Sequence, residues 1–134
     1  MGITTLSWRW DARLPGRHGG DFAAVFESLH LVLEGLVWRV ESNGEWVGAG
    51  ADELDSRATD ATALETPDLA RLLRGIDQVI DGSFVGSDSG GERVVRLSII
   101  DNSWLDMTTK DPKLIGGFLQ HFGTPDREGS ETEV

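Results

Sequence analysis

Residues 81–92 have the length and anchor spacing of a calcium loop, with Asp81 first, Gly86 sixth and Glu92 twelfth. The chemistry would be a hard cation held by carboxylate and carbonyl oxygens. Ser83 in third place can supply an oxygen, but Val85 in fifth place cannot, and Asp88 stands eighth, where an apolar residue normally pairs two such loops. Beyond the loop, Val94-Val95-Arg96-Leu97-Ser98-Ile99-Ile100 has a strand pattern rather than that of the exiting helix that calcium loops require. The expectation is therefore a helix stop and a hairpin turn, with no metal.

Other chemistry-bearing spacings are weaker. Gly48-Ala49-Gly50-Ala51 begins like a dinucleotide fingerprint, but the third glycine is missing and no helix is signalled directly after it. No Gly-x-x-x-x-Gly-Lys, Gly-x-Ser-x-Gly or His-Glu-x-x-His occurs. His18 falls in a glycine-rich loop, His30 beside an apolar helix stripe and His121 in a last helical turn, where a helix dipole favours it. Asp77 with Asp81, Asp52 with Asp55, and Asp101 with Asp106 could run acid–base work. A chain with 23 acidic residues generates such pairs by chance, so surface acid is the expectation. The Asp101 side chain is expected to bond turn amides. No catalytic residue and no cofactor is implied.

Charge and aromatic content point elsewhere. The 134 residues carry 12 Lys+Arg and 23 Asp+Glu, a formal charge of -11. Residues 41–68 hold eight acidic and one basic side chain and residues 126–134 four and one, so nearly all the excess sits in two segments. There are five tryptophans and no tyrosine. Most are expected in the core, since tryptophan is highly buried on average. Trp46, beside an Asn-Gly pair and the acidic segment, is the expected exposed anchor, and Trp104 the second. Together with Asp52, Glu53 and Asp55 they form the expected partner-binding set.

Strands and helices must position these residues. Residues 4–10 alternate, with Leu6, Trp8 and Trp10 on one side of a strand. After a Pro15–Gly20 loop, Asp21 starts a helix whose stripe is Phe22, Val25, Phe26, Leu29, Val32 and Leu33, ending at Gly35. Residues 36–41 and 45–48 read as strands joined at Asn43-Gly44, a pair that favours a tight hairpin. Residues 49–65 lack a pattern and are expected to be mostly surface loop, though about 17 residues is long for a compact domain and points to mobility, a short helix or a functional excursion. Thr66 is the expected cap of a second helix with the stripe Leu69, Leu72, Leu73, Ile76 and Ile80, ending at Gly82. Three more strands are expected at residues 83–86, 92–100 and 104–109, turning at Asp101-Asn102-Ser103. Asp111 and Pro112 open a last helix with Leu114, Ile115, Phe118 and Phe122 on its core face. The class is α+β, in the order β-α-β-β-α-β-β-β-α: a largely antiparallel sheet of five or six strands with three helices. Residues 1–125 are expected to form one domain and residues 126–134 an acidic, disordered tail.

The exclusions narrow the function. Without cysteine there is no disulfide scaffold, thiolate zinc site or cysteine nucleophile. Basic residues are too few and scattered for a nucleic-acid footprint. No window of about 18 apolar residues could span a membrane, and the N-terminus lacks a signal-peptide pattern, so the cytoplasm is the expected location. The leading expectation is a small acidic interaction protein, of the inhibitor or immunity type, that masks a basic protein partner. A homo-oligomeric accessory subunit, such as a homodimer, is the alternative. An enzyme or small-ligand binder with a sheet–helix pocket comes third.

Overall fold

The structure, a computed structural model, describes residues 5–11, 22–125 and 127–131. The order is β1 (Thr5–Asp11), α1 (Phe22–Ser28), α2 (His30–Leu33), β2 (Val37–Val40), β3 (Glu45–Val47), α3 (Ala51–Thr59) and β4 (Leu64–Glu65), then α4 (Thr66–Leu73), β5 (Gln78–Ser87), β6 (Arg93–Ile100), β7 (Trp104–Thr109), α5 (Pro112–Phe122) and β8 (Arg127–Glu131). The strands form one sheet in the order β4-β2-β5-β6-β7-β1-β8, with β3 also pairing β5. Every pairing among the described residues is antiparallel. The α+β class and the antiparallel sheet therefore stand, with α2, α3, β4 and β8 as elements beyond those expected.

One face of the sheet is covered. Trp38, Val40, Phe84, Val95, Leu97, Ile99, Leu105 and Met107 are buried and join a single cluster with apolar residues from all five helices. Phe26 meets Trp38 edge to face at 4.9 Å, and Phe22 packs on Phe84 at 5.0 Å. Alternate residues of the same strands, among them Arg39, Arg96, Ser98 and Asp106, are half-buried or exposed on the opposite, open face. β6 lies mid-sheet, as its apolar content implies, with helices on one side of it.

The elements with strong local chemistry form where expected. Asp111 caps α5, its Oδ1 accepting from Lys113 N at 2.9 Å, and Gly123 ends that helix with φ 79°. Asp101 and Asn102 both have φ 54°, and Ser103 N donates to Ile100 O at 3.0 Å, so the β6–β7 connection is a tight turn. The carboxylate that holds it is not Asp101's own. Asp81 Oδ1 accepts from Asp101 N at 2.9 Å, reaching across from β5.

Elsewhere tertiary structure overrides the pattern. The first helical stripe breaks at Leu29 into α1 and α2, although Phe22, Val25, Phe26, Leu29 and Leu33 remain buried. Asn43-Gly44 makes no hairpin: β2 and β3 both run antiparallel to β5, so the chain continues in the same direction past residues 42–44. Neither Asn43 nor Gly44 has the positive φ that a reversing two-residue turn needs. Residues 49–65 contain α3 and β4 rather than a loop; α3 buries only Leu54 and Ala58, too small a stripe to read as a helix.

The second helix ends at Leu73; of the residues expected to extend it, Ile76 falls in the connection and Ile80 belongs to β5. Gly82 and Gly86 sit on the covered face of that strand, where a Cβ at Gly86 would lie 3.1 Å from the Trp38 ring and one at Gly82 3.5 Å from Trp46. Tryptophan rings fill the room that side chains would have taken, which erases the alternation. At the other end of the chain, the expected tail holds β8 at Arg127–Glu131, which pairs β1 from Arg9↔Arg127 to Thr5↔Glu131. Backbone groups make that ladder, so an edge strand needs no apolar period. The Pro15–Gly20 loop, His18 and Asp21 lie outside the described residues.

Candidate interaction surface

The helical side of the molecule is bolted together by Thr66. This residue is 5% exposed, and its hydroxyl donates to Leu33 O and accepts from Trp38 Nε1, both at 2.8 Å. The expected capping role falls away, since the N-cap is Glu65, with no side-chain bond. Instead one hydroxyl joins the end of α2, the start of α4 and the buried tryptophan of β2. Leu33 O also accepts from Leu36 N at 3.3 Å, so the hydroxyl adds a second, shorter bond to a carbonyl at the helix end.

Above that bolt lies a groove of about 800 Å³ between α1, α2 and α4, floored by Phe26, Leu36 and Ala70. Arg74, just past the end of α4, pairs with Glu27 of α1 across it. His30 Nδ1 donates to Glu27 O at 2.9 Å, which fixes that ring on the rim. Glu34 and Glu65 also line the groove, and among the described residues neither has a salt-bridge partner. A second concavity of about 770 Å³ runs along α5, and Leu31, Glu34 and Leu36 border both.

Leu31 is the ridge between them. It is 75% exposed, the most exposed large apolar side chain among the described residues. A single exposed leucine is ordinary on any surface. This one stands between two concavities with apolar floors and an acidic rim, which is the form of a docking face.

The residues expected to bind a partner do not assemble into one surface. Trp46 is 8% exposed and packed in the core, its ring over Gly44, where a Cβ would lie 2.0 Å from the six-membered ring. That corrects its expected role as an exposed anchor; the glycine read as a turn residue is the seat of the ring. Trp104 is half-buried on the open sheet face, with the Arg9 guanidinium 5.5 Å from its ring centroid. Arg9 in turn makes a two-pronged bond to Asp106, Nε to Oδ1 at 2.6 Å and Nη2 to Oδ2 at 2.7 Å. The Asp106 hydrogen bond raises the Arg9 pKa, partial burial opposing it and Coulomb attraction adding to it.

Asp52, Glu53 and Asp55 are exposed on α3, with Glu53 3.8 Å from Arg57 one turn on. Helix α3 packs against β2 and α4, whereas Trp104 sits on β7, three strands from β2 in the sheet order.

No protein-family model, curated protein or solved structure matches the chain. Any functional assignment therefore rests on geometry. No group of three or more potential metal ligands occurs among the described residues, and no helix there is long and apolar enough to cross a membrane. Residues 81–92, the calcium-like spacing, run from β5 through the Asp88 turn, where Asp88 Oδ1 accepts from Gly90 N and Glu92 N. The signal that could have found the groove was Leu31 itself, a large apolar residue off the buried helical stripe.

Proposed function

We propose that the chain is an acidic interaction protein of the inhibitor or immunity type, which masks a basic surface of a protein partner in the cytoplasm. The observation that carries this reading is Leu31, three-quarters exposed between two grooves, with the rim carboxylates Glu34 and Glu65 in no salt bridge among the described residues. An apolar ridge with unpaired acid beside it is complementary to a partner segment that places Lys or Arg next to an apolar cleft. The net charge of -11 would steer such a partner from a distance, and the groove would hold it in register. A protein, rather than a small molecule, suits a surface that presents a protruding side chain instead of enclosing a ligand.

The test is photo-crosslinking in the native host, with a benzophenone amino acid placed singly at positions 31, 53 and 104. An adduct to one protein from position 31, with Lys or Arg in the crosslinked peptide, is the expected result. Adducts only from positions 53 or 104 would reject this face, and recovery of small molecules alone would reject the interaction reading.

A further inference from the structure

Where the end of α3 meets β2, and reaching onto the open face of the sheet, lies a concavity of about 600 Å³ whose chemistry is opposite to that of the chain as a whole. Its polar lining includes Arg39, Arg93, Ser42, Asn43 and Ser87. Arg39 faces Val85 across the β2–β5 ladder, and Val85 faces Arg96 across β5–β6, so two arginines share one row on this face. Arg93 arrives differently. Counting back from buried Val95 by strict alternation would turn it toward the helices, but the register shifts at Gly86/Ser87: Gly86 pairs Val95 while Ser87 pairs Arg93. Val94 is the extra residue of a β-bulge, and the bulge re-aims Arg93 into the cleft.

Charge accounting leaves this cleft positive. Glu41, which also lines it, is paired with Arg96 at 3.1 Å. Glu92, beside Arg93 in sequence, is paired with Lys110 at 3.0 Å, and Asp88 is occupied by turn amides. Among the described residues Arg39 uses only its Nε, which donates to Ala61 O at 3.3 Å. Arg93 is exposed and has no carboxylate partner among the described residues. Two guanidinium forks therefore open into one concavity beside neutral hydrogen-bonding side chains, with Val85, Ala58 and Ala61 as an apolar wall.

We infer that this cleft is a binding site for a small organic oxyanion, a carboxylate or a phosphate group. The two arginines supply planar donors that match either oxyanion, and Ser42, Asn43 and Ser87 complete the shell. The volume is that of a small-ligand site. The surrounding negative charge selects against extended polyanions such as nucleic acid and in favour of a compact mono- or dianion.

The experiment is a titration of the isotope-labelled full chain with inorganic phosphate, and separately with succinate, followed by amide chemical shifts against sodium chloride at matched ionic strength. The expected result is saturable shifts centred on Arg39, Ser87 and Arg93, with a Kd below about 10 mM for at least one anion. Tighter binding of phosphate assigns the phosphate class, and tighter binding of succinate the carboxylate class. In Arg39→Gln with Arg93→Gln, both surface changes that should keep the spectrum dispersed, affinity should fall by about tenfold or more. Shifts that match sodium chloride, saturate elsewhere, or survive the double substitution would overturn the inference.

Discussion

The Thr66 hydroxyl lies 2.8 Å from Trp38 Nε1 and 2.8 Å from Leu33 O, so one side chain satisfies a buried indole donor and the last turn of α2 at once. Thr66→Val keeps the shape and removes both bonds. Leu33 O keeps its bond from Leu36 N, so the Trp38 indole is the group left stranded, and urea unfolding should show a loss of about 1–3 kcal/mol, with most of it restored in Thr66→Ser. A loss under about 0.5 kcal/mol would mean that the indole finds another partner.

Trp46 over Gly44 makes a second prediction. Gly44→Ala places a methyl group 2.0 Å from the ring, so the ring must leave its place in the core. Overpacking of this kind costs about 1–3 kcal/mol in thermal or urea unfolding, and a displaced, hydrated indole should also red-shift the tryptophan emission of the folded protein. Unchanged stability and emission would place the ring elsewhere.

These two sites show what the sequence could and could not disclose. Asp111-Pro112 before an apolar stripe, and Asp101-Asn102 between two strands, are local chemistry, and α5 and the β6–β7 turn form as the residues imply. The α4–β5 boundary is hidden because Ile76 and Ile80 continue the helical spacing of Leu69, Leu72 and Leu73, while Gly82 and Gly86 blank the strand alternation. Asn43-Gly44 carries a turn preference that the β5 ladder overrides. For the site, Leu31 is visible as an off-stripe leucine, but the groove beside it depends on α4 packing against α1, which no local pattern encodes. Trp46 looks exposed only if a hairpin is assumed around it.

The Arg9–Asp106 pair should contribute modestly. Its side chains are 26% and 20% exposed, so solvent screens it, and Asp106→Asn should cost about 1 kcal/mol. The Arg9 pKa is raised in the folded state, so its contribution is fully present below the unfolded value and lost only as pH rises through the folded one. Between about pH 6 and 10 the coupling energy of a double-mutant cycle with Arg9→Gln should therefore stay constant. A decline across that range would show that another group controls the pair.

Acid at the groove should matter more than acid on α3. With the crosslinked partner in hand, Glu34→Gln with Glu65→Gln should slow association several-fold at low ionic strength and flatten its salt dependence, as stopped-flow mixing would show. Replacing Asp52, Glu53 and Asp55 by their amides removes more charge, yet should change the rate by no more than about twofold. The opposite ranking would move the contact surface to α3.

The most direct measurement is the equilibrium affinity of that partner for Leu31→Asp beside the unsubstituted chain. Leu31 is three-quarters exposed, so the change should leave folding intact while placing a charge on the ridge that fills the partner's apolar cleft. The expected result is a Kd weakened by about thirtyfold or more, near 2 kcal/mol, with an unchanged unfolding midpoint. An unaltered Kd would contradict the assignment of the α2 ridge as the docking face.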